Sequence, residues 1–281
     1  MDYENRLIRT EHRAGALFAT IDNPPINLLS LELYGEMARF VEKVAEDDEV
    51  RVLVLQSADP DFFIAHFDVE AILGFDVSEP AERSDELNPF HRMCETLRTM
   101  PKATIAKIAG RVGGGGSELA SSCDMRFGAL GKTVINQMEV ALGILPGGSG
   151  TQRLPRLVGR GRALEIILGS DDLDAVTAEQ WGYLNRALPE DELDEFVERL
   201  ALRIASFPAE AIALAKASVL RSEEVEDGLR EEAYLFQRLV RTPEARSAMQ
   251  GFLDAGGQTR EVELCVAEVC GDLPSSRSSE S

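Results

Sequence analysis

Glu118 and Glu139 stand 21 residues apart, and the first follows closely on Gly113–Gly116, four glycines in succession. Two carboxylates beside a site that holds a negative oxygen can share a water, one taking its proton and the other delivering a proton to substrate. The glycines supply the other half of that chemistry. Each costs about 0.5–1 kcal/mol of extra backbone entropy when fixed in regular structure, so four together point to a close backbone approach. In GRVGGGGSELASSCD (110–124) they close a strand-like segment and open a short helical run, ELASSCD. Unpaired N–H groups at a helix start, with the positive end of its dipole, make an anion site, which is how an oxyanion hole is built. Glu118 then falls in the first turn, beside whatever those N–H groups hold. Taken alone the pairing is one of two readings, because most helical glutamates are solvated surface.

Other motifs fail on a single residue each. GALGKT (128–133) is the end of a phosphate-binding loop, but the pattern GxxxxGK[ST] needs glycine at 126, where the chain has Arg126. No GxGxxG follows a strand, which removes the dinucleotide fingerprint. PGGSGTQ places Ser149 in a serine-hydrolase-like setting, yet GxSxG needs glycine at 151 and Thr151 is there.

The elements that must position the glutamates alternate along the first half of the chain. AGALFATID (14–22), RVLVLQS (51–57) and KATIAKIAG (102–110) read as strands, with MRFGA and TVINQ as further candidates. Between the first two strands Leu33, Met37, Phe40, Val41 and Val44 recur at helical spacing, so the order is β, α, β with a right-handed crossover expected. From about residue 148 the pattern reads as all α. Leu193, Phe196, Val197, Leu200, Ala201 and Ile204 make one apolar stripe, Thr177 and Gln180 have capping-box spacing, and Pro208 lies in the first turn of another helix.

Composition narrows the function. With 281 residues and 44% hydrophobic content, the chain can bury a full core. A formal charge of -20 opposes general affinity for nucleic acid or an anionic membrane. There is no run of about 18 apolar residues, and the charged start MDYENRLIRTEHR is unlike a secretion signal. Cysteines at 94, 123, 265 and 270 and histidines at 12, 66 and 91 show no ligand spacing. The expectation is a reduced, cytoplasmic protein without a metal.

The run GRVGGGGSELASSCDMRFGA, then Glu139 and LGILPGGSGTQRLPRLVGRGRALEIILGS, resembles the enoyl-CoA hydratase/isomerase (crotonase) family. The resemblance reaches from IDNPPINLLSLELYGEM to TPEARSAMQGFLDA, nearly the whole chain. It implies an α/β fold, a crotonase-like spiral of ββα repeats over residues 1–205, with a C-terminal helical trimerisation region at 206–271 and a disordered tail at 272–281. It also implies homotrimers, or hexamers as dimers of trimers. The substrates would be acyl-CoA thioesters, with no cofactor beyond the coenzyme A of the substrate.

By position Gly115 and Phe67 would supply the two oxyanion-hole N–H groups, with Ala65, His66, Asp68, Gly114, Gly116, Pro146 and Gly147 around the substrate. Both carboxylate positions are glutamate, the pattern of the family's hydratases, which add water to a 2-enoyl-CoA to give a 3-hydroxyacyl-CoA. Glu139 is assigned as proton donor to Cα and Glu118 as activator of the water. The alternatives are another reaction of this scaffold (isomerisation, hydrolysis, decarboxylation or carbon–carbon cleavage) or a noncatalytic CoA-binding scaffold.

Two departures from the family pattern stand out. The first oxyanion loop, commonly Ala-Gly-Ala-Asp, is Ala65-His66-Phe67-Asp68, where the imidazole reads as a packing or surface group or as a ligand contact. A lysine common near the C-terminal end is missing, and FLDAGGQTRE offers only Arg260. Arg111, Arg153 and Arg156 are the other basic groups near the motifs.

Overall fold

In the computed structural model, which describes residue 3 and residues 5–221 and 226–271, two sheets run side by side and the chain passes back and forth between them. The tail expected at 272–281 lies outside the described residues. The chain begins with the hairpin β1 (Ile8–Arg13) and β2 (Ala16–Ile21), turned at Ala14 and Gly15 with positive φ, followed by α1 (Leu31–Glu46) and β3 (Val52–Ser57). Next come β4 (Phe62–Ile64), α2 (Val69–Leu73), α3 (Pro89–Thr99), β5 (Ala103–Ile108), β6 (Arg111–Gly113) and α4 (Gly114–Ser121). A further turn adds β7 (Met125–Ala129), β8 (Val134–Asn136), α5 (Gly150–Val158) and α6 (Arg160–Gly169).

β3 and β4, then β5 and β6, then β7 and β8 each give one strand to each sheet before a helix returns the chain. That is the expected ββα spiral. The larger sheet has the order β1-β2-β3-β5-β7 and ends on β10 (Arg186–Leu188); the smaller is β4-β6-β8 and ends on β9 (Leu173–Asp174). These last two strands correct the all-helical reading after residue 148. At two and three residues they are too short for a periodic pattern to show. Between them lies α7 (Ala175–Trp181), capped by Asp174, whose carboxylate accepts from Thr177 N–H at 2.7 Å. The Thr177–Gln180 capping box is therefore displaced by an Asp cap three residues earlier.

α8 (Glu190–Ala205) lays Leu193, Val197 and Ala201 on one face of the larger sheet, against Val52, Val54, Ile105 and Phe127. α1, capped by Ser30, buries Leu33, Met37, Phe40, Val41 and Val44 on the other. Covered on both faces, the central strands read as continuous apolar runs rather than alternating ones. The chain ends in α9 (Ala209–Leu220), α10 (Glu226–Leu239), α11 (Pro243–Asp254), α12 (Arg260–Glu263) and α13 (Val266–Gly271). α11 packs Ala245, Met249 and Phe252 against Val69 and Ile72 of α2, whereas α9 buries nothing and exposes Leu214 and Val219.

Within the smaller sheet, β4 and the chain just after it pack closely on the glycine run that links β6 to α4. A Cβ on Gly113 would lie 2.5 Å from the Ala65 carbonyl oxygen, and one on Gly116 would lie 2.6 Å from that of Ile64. Gly114, at φ 43°, makes the left-handed step between β6 and α4. Gly116→Ala is therefore expected to cost about 1–3 kcal/mol in chemical denaturation, the range for overpacking a filled core. Gly131→Ala separates crowding from backbone conformation, because its Cβ meets nothing within 4 Å and only its φ of 74° opposes it.

Candidate active site

α4 is eight residues long and wholly buried, so its N–H groups and its one carboxylate act inside the protein. Glu118 is the fifth residue of α4, in the second turn and not the first. The helix therefore does not place it against its own N-terminus; a different backbone segment receives it. Glu118 Oε1 accepts from the N–H groups of Gly148 at 2.8 Å and Gly150 at 2.7 Å. Glycine is needed at 148, where a Cβ would overlap Glu118 Oε2 and the Phe90 ring.

The alternate N–H groups of the same four residues serve another acid. Ser149 N–H and Thr151 N–H donate to Glu232 of α10 at 2.6 and 2.9 Å, joined by the Thr151 hydroxyl and by His91 Nε2 at 3.0 Å. Residues 148–151 thus split their amides between two buried carboxylates at the N-terminus of α5, where the helix dipole also favours anions. Ser149 is held at φ 105°, a conformation unusual outside glycine, while its hydroxyl accepts from Arg153 Nε at 2.8 Å.

Glu139 lies in the turn after β8, 8% exposed, with its carbonyl accepting from Leu142 and Ile144 N–H. The Gln137 amide, oriented so that its NH2 donates, reaches both Glu139 carboxylate oxygens at 2.9 and 3.1 Å while its oxygen accepts from Ser117 Oγ at 3.1 Å. Burial lifts the Glu139 pKa to about 7, partly opposed by His66. Burial, then repulsion from Glu139 and Glu232, holds Glu118 well above the usual carboxylate range, against the pull of the Gly148 and Gly150 amides. The two glutamates therefore titrate as one pair.

The pair faces a cavity of about 290 Å³, lined also by Gly115, Phe67, Gly147, Gly148 and the side chains of Tyr34 and Phe90. Phe67 forms a parallel bridge with Leu29, in which Leu29 N–H donates to the His66 carbonyl at 2.9 Å and Asp68 N–H donates to the Leu29 carbonyl at 3.2 Å. In such a bridge the N–H of the central residue points the other way. That is the side of Gly115, where a Cβ would lie 3.5 Å from Phe67 N. Two backbone donors and two carboxylates thus line one cavity.

Of the other residues expected around substrate, only Gly147 joins the cavity wall. Gly114 and Gly116 are buried in α4, and Pro146 packs against Gly150. Ala65 lies beneath Gly113, and Asp68 caps α2 through Glu70 and Ala71 N–H. His66 is 2% exposed and turns away to Glu263. It is a packed, hydrogen-bonded group that does not line the cavity, which corrects the surface reading.

Three of the basic candidates are paired with acids: Arg111 with Asp172, Arg153 with Glu95, and Arg260 with Asp59 and Asp61. Arg156 donates to the Gln152 carbonyl. A larger cavity of about 660 Å³ between α9 and the core contains neither glutamate. Burial pushes the thiols of Cys94 and Cys123 up to about 12, so neither is a ready nucleophile. Sequence reasoning missed Gln137, His91, Glu232 and the aromatic wall. Glu232 and His91 are 141 residues apart and carry no local signal.

The chain matches the family model for enoyl-CoA hydratase/isomerase over residues 11–259. It is 32% identical over 257 residues to the crotonyl-CoA hydratase of Syntrophomonas wolfei, covering 90% of this chain and 96% of that one. The short-chain-enoyl-CoA hydratase of Clostridium acetobutylicum is 30% identical with the same coverage. Among solved structures, a Streptomyces avermitilis protein assigned as an enoyl-CoA hydratase superposes with a TM-score of 0.87 at 37% identity, over 95% of this chain and 98% of that one. The buried glutamate pair, the amides that face it and these likenesses place the chain in the enoyl-CoA hydratase/isomerase family.

Proposed function

We propose that this protein is an enoyl-CoA hydratase, adding water across the double bond of a 2-enoyl-CoA to give a 3-hydroxyacyl-CoA. The observation that carries the reading is the convergence of Glu118, Glu139, Gly115 and Phe67 on one cavity. The thioester oxygen sits between the Phe67 and Gly115 N–H groups, which take up the charge of the enolate as it forms. Water adds its oxygen to Cβ and gives a proton to Glu118, while Glu139 delivers a proton to Cα. The pair shares a proton, and the reactive form is the one that carries it on Glu139: the Gly148 and Gly150 amides oppose the burial that favours protonated Glu118 and leave its Oε2 for water. Glu139, with a pKa near 7, can carry the proton that Cα receives.

The aromatic wall suits the acyl chain: Tyr34 stacks on Phe90 at 5.7 Å, and Phe67 meets both edge-on at 6.0 Å. The protein acts in the cytoplasm without a metal or a cofactor beyond the substrate's coenzyme A, and neither membrane nor nucleic acid is a partner. Residues 1–205 form the catalytic spiral and 206–271 the oligomerising region. The exposed apolar residues of α9 support assembly as a homotrimer or as a pair of trimers.

Purified protein is expected to hydrate crotonyl-CoA, read as loss of the conjugated enoyl absorbance. Glu118→Gln and Glu139→Gln should each lower kcat by about 10²–10⁴-fold, the usual weight of a positioned acid or base. Thioester binding with neither hydration nor isomerisation at any chain length contradicts the reading.

The pair also sets a pH dependence. The Glu139 pKa is raised from 4.5 to about 7, so its protonated form is preferred in the folded state and stability is lost as pH rises through that interval. kcat/KM is expected to fall as pH rises through about 7, where the proton for Cα is lost. Above that pH, Glu139→Gln should raise the melting temperature relative to wild type while hydration is lost. A melting temperature lowered by Glu139→Gln in alkaline buffer shows that the carboxylate is not destabilising.

A further inference from the structure

The oxyanion loop that departs from the family pattern meets the C-terminal segment in space. His66, in the oxyanion loop, reaches across 197 residues to Glu263 in α12, with Nε2 3.1 Å from Glu263 Oε1. Its other nitrogen, Nδ1, lies 2.8 Å from the Phe67 carbonyl oxygen. Both partners are acceptors when Glu263 is ionised, so only the doubly protonated imidazolium satisfies both contacts. Burial alone would lower the His66 pKa, but the Glu263 carboxylate raises it, and His66 in turn holds Glu263 below the usual range against burial. The ring is 2% exposed and meets Phe252 of α11 edge-on at 5.9 Å.

A second tie joins the same two segments. Gln258, in left-handed backbone at φ 66° just before α12, accepts from Val69 N–H through Oε1 at 2.6 Å. Its own N–H donates to Glu263 Oε1 at 2.7 Å, so one carboxylate oxygen fixes both the Gln258 turn and the His66 ring. The loop from 66 to 69 is thus fastened at both ends by residues 258–263, and Phe67 lies between the fastenings. On the opposite side Leu29 holds the His66 carbonyl, the acceptor end of the peptide unit whose N–H belongs to Phe67.

We propose that His66, Gln258 and Glu263 form a latch by which the C-terminal segment positions the Phe67 N–H of the oxyanion hole. The three are positioning residues, since none lines the cavity. A packed histidine replaces the usual glycine of the loop because a side chain from another element fastens it here. The proposal rests on the hydratase reading for its effect on rate, but the latch itself is a property of the unliganded protein.

The test compares wild type with Gln258→Ala, Glu263→Ala and Glu263→Gln. Without substrate, hydrogen–deuterium exchange over residues 64–71 should speed up in Gln258→Ala and Glu263→Ala while β3 and β5 keep their protection. With crotonyl-CoA, both alanine variants should lose about 10- to 100-fold in kcat with KM changed less than about threefold, the signature of a misplaced transition-state donor. Glu263→Gln, which keeps an acceptor oxygen, should recover part of that loss. Unchanged exchange over 64–71 in Glu263→Ala overturns the latch whatever the activity. So does a fall in kcat that follows the folded fraction alone and that Glu263→Gln does not relieve. If wild type hydrates no enoyl-CoA, the functional reading fails and exchange alone decides the latch.

Discussion

Three carboxylates, those of Glu118, Glu139 and Glu232, are buried around one turn of chain, and the rest of the site follows from how that charge is tolerated. Isolated buried carboxylates cost far more than a domain's net stability, so each must find donors or hold a proton. Residues 148–151 give their N–H groups alternately to Glu118 and Glu232, so a single helix start serves two acids. The Gln137 amide serves the third. At Glu118 and Glu139, what the donors do not offset appears as raised proton affinity, and a pair that holds a proton near neutral pH is what proton delivery requires.

That arrangement also explains why the C-terminal helices belong to the site. Glu232 comes from α10 and Glu263 from α12, and each enters the interior to meet a histidine, His91 in one case and His66 in the other. One fixes the loop that holds Glu118, the other the loop that carries Phe67. The spiral carries Glu118, Glu139, Gly115 and Phe67, and the C-terminal helices supply buried carboxylates that bond to the loops around them.

Much of this was legible in the sequence where the signal is local. The glycine run, the strands around it and the stripe on α8 are short-range patterns, and the structure reproduces them. Glu118 was legible as a residue but not as a geometry, because the amides that hold it come from 148 and 150 rather than from its own helix. β9 and β10 were invisible, since two or three residues carry no period and only pairing defines them. The partners of His66 and His91 were illegible for another reason: they are brought in by packing across 197 and 141 residues. The partners of the basic candidates were also not legible: in so acidic a chain Arg111, Arg153 and Arg260 are each paired with a carboxylate brought in by the fold.

In the proposed reaction Glu118 takes a proton from water as its oxygen bonds to Cβ, and Glu139 gives a proton to Cα of the thioester enolate. The most direct measurement is the product formed from crotonyl-CoA in deuterated, oxygen-18-labelled water, analysed by mass and NMR. Hydration by this pair leaves solvent oxygen at Cβ, one solvent deuterium at Cα and an intact thioester. Label in a free carboxylate, or deuterium at the γ carbon with no oxygen added, would contradict it.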